Sequence, residues 1–214
     1  MGWYQSDWQG WHPRRFEWYF TRTRVGKGVR EQEESGVVAV LDSFLAPSHR
    51  AADVGAGTGH YTSLLARRCA SVVAIEPSPR MRGYLRQRLA AEELSNVRLV
   101  AGRLPVPPAL ECDVDVVVCV GVLQYIWDLQ VAVASLAAMV RPGGRVIFSV
   151  TPASRGALWY ACQEHLGRRR IRLRSDGQIL EATDRAGLAV ESMTTFAGVT
   201  RLVSATSSTS GSWR

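Results

Sequence analysis

Lysine is nearly absent from this chain of 214 residues, in which Lys27 is the single lysine among 26 lysine and arginine side chains. The formal net charge of +7 would ordinarily indicate an acidic partner such as a nucleic acid. The arginines, however, are spread over the whole length, and a preference for arginine over lysine also arises in GC-rich genomes. Net charge alone therefore does not predict a nucleic-acid partner, and only a local basic cluster would.

Long apolar runs and paired cysteines are also missing. No run reaches the roughly 18 apolar residues of a membrane span, and arginines interrupt the N-terminal stretch where a signal peptide would have its apolar region. The four cysteines form no C-x-x-C pair, and Cys69, Cys112 and Cys119 lie in or beside apolar runs, which predicts buried thiols rather than a metal site or disulfides. We expect a cytoplasmic protein without bound metal and without membrane contact.

Strand-like and helix-like segments alternate from residue 36 onward. Ser78 and Pro79 predict the start of one helix, Asp128 caps another, and Pro142 with the glycines after it is expected to end that second helix. The β-branched run VDVVVCVGV is typical of a strand buried on both faces. The alternation predicts an α/β fold of βαβ units, in which helices cover both faces of a mostly parallel sheet.

The two ends of the chain differ from this middle part. Residues 1–35 hold four of the seven tryptophans, a density that no flexible linker needs, and predict an aromatic N-terminal lid segment. An amphipathic helix packed on the sheet is the alternative for that segment. Residues 36–206 form the predicted main domain, within which 152–174 is a substrate-region insertion, and 207–214 are expected to be a disordered tail.

The stretch DVGAGTGHYT, residues 53–62, is the most informative motif in the sequence. Gly55, Gly57 and Gly59 stand at alternate positions between an apolar strand and a helix start, where bare backbone N–H groups can point at a ligand. Glu76 ends the next predicted strand about twenty residues later, a position from which a carboxylate accepts hydrogen bonds from a ribose diol. The glycine turn and the acid Glu76 together predict a nucleoside-containing cofactor.

The spacing of the three glycines distinguishes between two kinds of nucleoside cofactor. A nicotinamide-binding turn reads G-x-G-x-x-G, whereas here the third glycine comes one residue early and Asp53 precedes the first glycine by two positions. The pattern D-x-G-x-G-x-G resembles motif I of the class I S-adenosylmethionine-dependent methyltransferases. The stretches VVAIEPSPRM, CDVDVVVCVGVLQYIWD, MVRPGGRVIFSV, GLAVESMTTF and TRLVSAT are similar to that family's later strands and loops in the same order. The resemblance covers about residues 36–206 and implies a Rossmann-like seven-stranded sheet with a C-terminal antiparallel hairpin.

The resemblance implies S-adenosyl-L-methionine as the cofactor and S-adenosyl-L-homocysteine as its product. Carried over position by position, it assigns to the cofactor site Asp53, Gly55, Ala56, Gly57, Gly59, Tyr61, Glu76, Pro77, Arg103, Leu104, Val120 and Gly121. One departure is that no acid stands at Gly102 or Arg103, where the family commonly places one for the adenine amino group. A backbone N–H of Arg103 or Leu104 is the expected substitute.

Candidates for the reaction itself are fewer, because no single residue stands out as a base. Tyr125, in the loop after the fourth strand, and His165 are the catalytic candidates. A ring packed beside the adenosine is the alternative for Tyr125, and a solvated or packed side chain is the alternative for His165. Substrate contacts are expected from Trp11, Trp18, Tyr19, Gln124, Tyr125 and Trp159.

Three functions remain open at this point. The loop CVGVLQY lacks the N/D-P-P-Y motif of methyltransferases that act on nucleobases or glutamine, and it is closer to the small-molecule branch of quinone and natural-product methylation. That branch predicts an enzyme that methylates an oxygen, nitrogen or carbon atom of a ring-bearing small molecule, without a nucleic-acid partner. The arginine run GRRRIRLR favours RNA methylation instead, and the missing adenine acid favours a non-catalytic relative that binds the cofactor or a partner enzyme.

Overall fold

The computed structural model describes residues 12–105, 113–166 and 170–208. Helices and strands alternate along the chain, and a single turn of 3-10 helix, Leu123–Tyr125, follows the fourth strand. In chain order the elements are α1 (Pro13–Arg22), α2 (Arg24–Asp42), β1 (Arg50–Val54), α3 (His60–Ala66), β2 (Ser71–Ile75), α4 (Pro79–Ala91), β3 (Val97–Val100), β4 (Val114–Cys119), α5 (Leu129–Ala137), β5 (Val140–Pro152), α6 (Arg155–Leu166), β6 (Leu173–Arg174), α7 (Asp176–Arg185), β7 (Leu188–Phe196) and β8 (Thr200–Ser207).

The strands form one sheet in the order β3-β2-β1-β4-β5-β8-β7. Strands β1 to β5 pair in parallel, whereas β8 runs antiparallel between β5 and β7. The predicted α/β fold with a C-terminal antiparallel hairpin is confirmed, and the two-residue β6 adds a short eighth strand beside β5. The strand order reverses between β1 and β4, so a crevice opens at their carboxyl ends, where open α/β sheets bind ligands.

Alternate residues of the central strands pack into two apolar clusters, because successive side chains of a strand point to opposite faces. Val117 of β4 belongs to the cluster that contains Leu136 of α5. Its neighbour Val116 belongs to the cluster that contains Leu41 of α2 and Leu65 of α3. All five side chains are buried, and helices therefore cover both faces of the sheet as predicted.

Two helices begin where the sequence places their caps. The Ser78 hydroxyl accepts a hydrogen bond from the N–H of Met81 at 3.4 Å, at the start of α4. Asp128 accepts one from the N–H of Val131 at 3.1 Å, at the start of α5. The expected end of α5 at Pro142 is wrong, because this helix already ends at Ala137.

Residues 141–144, which include Pro142, form a bulge inside β5 instead of a turn. Val114 of β4 pairs with Val140, and Val116 pairs with Arg145, so four residues of β5 stand opposite one residue of β4. Gly143 has a φ of +75°, a conformation that glycine adopts at no steric cost. The glycines therefore allow the strand to bulge and then resume its pairing.

The boundary expected at residue 36 falls inside α2 rather than between two elements. The Thr23 hydroxyl caps this helix by accepting a hydrogen bond from the N–H of Gly26 at 3.0 Å, and the helix continues to Asp42. The segment 152–174 contains α6 and β6. Of the expected tail, residues 209–214 lie outside the described residues.

Within the described ranges, no helix has both the length and the apolar character needed to cross a bilayer. The same part of the chain brings together no group of three or more histidine, cysteine, aspartate or glutamate side chains that could hold a metal ion. Cys69 and Cys119 are buried free thiols as predicted, and Cys162 is exposed. Cys112 lies outside the described residues.

Candidate active site

The glycine turn between β1 and α3 requires glycine at its three alternate positions. Gly55, Gly57 and Gly59 have φ values of +79°, +56° and +90°. A Cβ atom at Gly55 would lie 2.3 Å from Val122, and one at Gly59 would lie 2.2 Å from Leu85. At Gly57 the nearest atom would be the backbone oxygen of Gly55 at 3.9 Å, so this part of the turn faces open space.

Glu76 joins the turn to the end of β2. One carboxylate oxygen accepts a hydrogen bond from the N–H of Gly57 at 2.9 Å, and the other accepts one from the N–H of Ser78 at 2.8 Å. Burial raises the pKa of Glu76 above its usual range, and these two backbone bonds and Arg82 oppose the rise. A carboxylate has about four acceptor positions, so Glu76 is held in place with positions left for further donors.

Asp53, at the end region of β1, is buried beneath the turn. Its carboxylate accepts a hydrogen bond from the Thr62 hydroxyl at 2.5 Å, which ties β1 to the first turns of α3. Burial raises the pKa of Asp53 to about 7, the bond from Thr62 lowers it, and the neighbouring Glu76 raises it. The two acids that the motif predicts therefore lie together at one end of the sheet.

A cavity of about 1210 Å³ opens over these residues at the carboxyl ends of β1 and β4. The glycine turn and Glu76 line one part of it, together with Pro77 and Met81. The segment after β4, the helices α1, α2 and α6, and the tip of the β7–β8 hairpin line the rest. Of the predicted cofactor residues, those that line the cavity are Asp53, Gly55, Ala56, Gly57, Tyr61, Glu76, Pro77, Val120 and Gly121.

Helix α1 lies over the glycine turn. Glu17 accepts a hydrogen bond from the Thr58 hydroxyl of the turn, and two further bonds from the Arg30 guanidinium of α2 at 3.2 and 3.3 Å. The pKa of Glu17 lies below its usual range, because the bonds from Thr58 and Arg30 outweigh the effect of burial. The guanidinium of Arg30 also lies 4.6 Å from the ring centre of Phe20.

Two aromatic side chains of α1 stand at the mouth of the cavity. Trp18 and Tyr19 line it, yet 60% and 38% of their surfaces remain exposed. The structure therefore places these two predicted substrate residues where an entering molecule would meet them. Trp11 lies outside the described residues, and of Trp159 only the backbone, within α6, is described.

On the other side of the crevice, Gln124 and Tyr125 follow β4 and line the cavity as predicted. Both are buried, with 8% and 5% of their surfaces exposed. The Tyr125 hydroxyl donates a hydrogen bond to the carboxylate of Glu164 in α6 at 3.1 Å. Glu164 is buried and also lines the cavity, so it is a site residue that the sequence interpretation missed.

Four predicted site residues lie elsewhere. His165, next to Glu164, is exposed on α6 and does not line the cavity, because neighbouring residues of a helix point in directions about 100° apart. Arg103 is exposed, and Leu104 is buried in the apolar cluster beneath β4. Gly59 caps α3 from the far side of the turn, against Leu85. None of the four lines the cavity.

Glu33 of α2 is a second carboxylate that sequence reasoning missed. It lines the cavity, and its carboxylate accepts a hydrogen bond from the Thr200 side chain. Burial raises the pKa of Glu33 to about 7, although Thr200 and the charge of Arg30 lower it. No local motif marks this residue, because only the packing of α2 over the sheet brings it to the site.

Comparison with known proteins agrees with this geometry. Residues 52–148 match the family described as a methyltransferase domain. A demethylmenaquinone methyltransferase of Tropheryma whipplei is 36% identical over 95 residues, which are 44% of this chain and 38% of that protein. A malonyl-[acyl-carrier protein] O-methyltransferase of Serratia marcescens is 31% identical over 107 residues, which are 50% of this chain and 40% of that protein. The chain thus matches about two fifths of the length of these curated relatives.

Among solved structures, magnesium protoporphyrin IX methyltransferase from Synechocystis, which contains bound S-adenosylhomocysteine, superimposes with a TM-score of 0.72. The alignment covers 91% of this chain and 92% of that one at 23% sequence identity, a level that supports the fold. The fold and the match to the family agree with each other, and both agree with the motif at residues 53–59. Residues 52–148 thus match a methyltransferase domain, and the chain has the fold of that solved methyltransferase.

Proposed function

We propose that this protein transfers a methyl group from S-adenosyl-L-methionine to an oxygen, nitrogen or carbon atom of a small, ring-bearing acceptor. The observation that carries the proposal is the hydrogen bond from the N–H of Gly57 to the carboxylate of Glu76 at the edge of the cavity. This bond joins the glycine turn to the acid that is expected to bind the ribose. The small-molecule methyltransferases among the relatives support the same reaction class. Cytoplasmic location remains a prediction from the sequence.

The residues present fit this cofactor. Gly57 leaves open space beside the turn, and Glu76 is positioned for a ribose diol. Tyr61 lines the same cavity, and its hydroxyl is buried with no hydrogen-bond partner among the described residues. A buried hydroxyl without a partner costs free energy, so a polar group of a ligand at this end would stabilise the fold. When bound, the cofactor supplies a methyl group on a positively charged sulfonium.

The remaining walls suit an apolar acceptor. Phe16, Trp18, Tyr19 and Phe20 of α1 line the cavity, and together they would exclude water from the reacting atoms. Gln124 would orient the acceptor from the carboxyl end of β4, and the ring of Tyr125 would border it there. Holding two reactants in line contributes much of a methyl transfer, since effective molarities of about 10⁵ to 10⁸ M are known for well-oriented groups.

The test of this proposal is the affinity for the cofactor. Replacing Glu76 by Gln removes a charge-assisted acceptor worth about 1.5 to 3 kcal/mol, so we expect affinity for S-adenosylmethionine to fall roughly 10- to 150-fold in calorimetry. Glu181→Gln, on the exposed face of α7, is the matched control and should bind as the parent does. Unchanged affinity in a folded Glu76→Gln protein would remove the basis for the proposed site.

A further inference from the structure

Two polar side chains from distant parts of the chain meet within the cavity. Tyr125 follows β4, and Glu164 belongs to α6, in the segment between β5 and β6. Their hydrogen bond of 3.1 Å joins two buried residues that both line the cavity. The Tyr125 hydroxyl donates this bond to one carboxylate oxygen of Glu164. The carboxylate is therefore oriented by a neighbour before any acceptor enters.

This pair lies on the acceptor side of the crevice. Val120 and Gly121, at the end of β4, also line the cavity, and β4 pairs directly with β1, which leads into the glycine turn. The ligand crevice of an open α/β sheet lies at this point, where the strand order reverses. Tyr125 comes four residues after Gly121, and the pair lines the same cavity as the glycine turn.

The charged groups around that space favour an acceptor that donates hydrogen bonds. Away from the glycine turn and Glu76, the carboxylates that line the cavity are, among the described residues, Glu33 and Glu164. Of the lining arginines, Arg30 is bonded to Glu17, and Arg15 is exposed on α1. A carboxylate accepts hydrogen bonds, so an O–H or N–H group of an acceptor would find a partner at Glu164.

We propose that the methyl acceptor of this enzyme is a neutral hydroxyl or amine, and that Glu164, oriented by Tyr125, takes its proton. This inference rests on the proposed function. The acceptor oxygen or nitrogen gives its proton to the carboxylate of Glu164, and its lone pair forms the bond to the methyl carbon. The electron pair of the broken carbon–sulfur bond stays on sulfur, which becomes a neutral thioether. Glu164 is the catalytic residue in this scheme, and Tyr125 is the positioning residue.

The first measurement is binding, which does not depend on turnover. Three probes share one ring system and differ in one group: a naphthol, a naphthylamine and a naphthoate. Calorimetry is performed on protein loaded with S-adenosylhomocysteine. We expect the naphthol or the naphthylamine to bind at least about tenfold more tightly than the naphthoate, because the O–H or N–H group donates a hydrogen bond to the charged Glu164 carboxylate and the naphthoate does not. In Glu164→Gln this preference should shrink severalfold or more, and in Glu181→Gln it should persist.

The second measurement is methyl transfer to whichever probe binds. Loss of a general base typically lowers kcat by about 10²- to 10⁴-fold, so Glu164→Gln should fall within that range while its affinity for S-adenosylhomocysteine stays within about twofold of the parent. Tyr125→Phe keeps the carboxylate but not its orientation, and should lower kcat by a smaller factor with KM for the probe nearly unchanged.

The outcomes separate the two proposals. Tighter binding of the naphthoate, equal binding of all three probes, no binding of any of them, or unchanged kcat in Glu164→Gln would each overturn the role of Glu164 and the acceptor class. In all four cases, retained affinity for S-adenosylhomocysteine would leave the proposed function intact. Failure of the parent protein to bind S-adenosylhomocysteine would contradict the proposed function itself.

Discussion

Burial sets the protonation of two carboxyl groups at the cavity. It raises the pKa of both Asp53 and Glu33 to about 7, from ordinary values near 4. A carboxyl group with a raised pKa binds its proton more tightly in the folded state than in the unfolded state. Its contribution to stability is therefore fully present below pH 4 and is lost as the pH rises through about 7.

This linkage predicts a pH dependence that one substitution reduces. The free energy of unfolding of the parent protein should fall between pH 5 and pH 8, and Asp53→Asn should show a smaller fall because one of the two linked protons is gone. Urea denaturation at several pH values measures both slopes. Asp184→Asn, at an exposed position of α7, controls for the change in net charge. Parallel slopes for the parent and Asp53→Asn would contradict the raised pKa of Asp53.

The predicted cofactor residues that line the cavity share a local origin. Asp53, Gly55 and Glu76 belong to strand–turn units, so short-range spacing fixes where they lie. Glu33 and Glu164 come to the same cavity only through the packing of α2 and α6, which no spacing in the sequence encodes. Glu164 lines the cavity whereas the predicted His165 beside it does not, because one residue on a helix turns the side chain by about 100°.

At the scale of elements, α1 and the glycine turn form a coupled pair. Glu17 connects α1 to Thr58 of the turn and to Arg30 of α2, and only 15% of its side chain is exposed. The lid function of this helix remains a proposal, which these contacts support. A helix that contacts the turn through the side chain of Glu17 can separate from the turn without disturbing the sheet, as release of a product requires.

We expect Glu17→Ala to loosen α1 while leaving the sheet intact. Hydrogen exchange should accelerate within Pro13–Arg22 and stay unchanged in β4 and β5, because the substitution leaves the Arg30 guanidinium without its carboxylate partner. Mass spectrometry of peptides after deuterium labelling resolves these elements. Glu31→Ala, which removes an exposed ion pair with Lys27, should leave exchange in α1 as it is. Unchanged exchange in Glu17→Ala would mean that the aromatic rings alone hold the helix.

The strands and helices of the core were predictable because each carries its own pattern, whereas the bulge in β5 was not. Pro142 and its glycines are typical of a helix end, and the helix does end five residues earlier, at Ala137. The residues between Ala137 and Pro142 were assigned to the wrong element, because their place depends on how β5 pairs with β4. Register of this kind is a property of two strands, and neither strand specifies it alone.

At the scale of the whole molecule, the arginine run GRRRIRLR requires an explanation, because it is the observation that favours RNA methylation. Part of the arginine run GRRRIRLR has a structural role. The Arg174 guanidinium donates to the backbone oxygens of Ile126 and Trp127 at 2.6 and 2.9 Å. The Arg172 guanidinium lies 3.4 Å from the ring centre of Trp127, and its backbone N–H donates to Gln124 at 2.7 Å. These arginines hold the loop after β4, in which Gln124 and Tyr125 line the cavity.

This arrangement predicts that Arg174→Ala destabilises the fold instead of weakening RNA binding. The side chain is buried, with 8% of its surface exposed, and its loss leaves two loop carbonyls without their donor. Hydrogen bonds to a charged group are worth about 1.5 to 3 kcal/mol, which corresponds to a decrease in Tm of roughly 3 to 12 °C for a chain of this size. Arg170→Ala, at an exposed position of the same run, should leave the Tm unchanged.

The same pair of variants tests the nucleic-acid alternative directly. Contacts to phosphates release counterions, so a true RNA complex would weaken steeply between about 50 and 200 mM salt, and each lost contact would reduce that slope by about one. We expect filter binding with total RNA to show no saturable complex for the parent protein, and no difference between Arg170→Ala and Arg174→Ala. A saturable, salt-dependent complex that Arg170→Ala weakens would show that the exposed part of the run contacts phosphates. Methyl transfer to the bound RNA would then make RNA the acceptor, because the cavity, the turn and Glu76 would serve that reaction equally well.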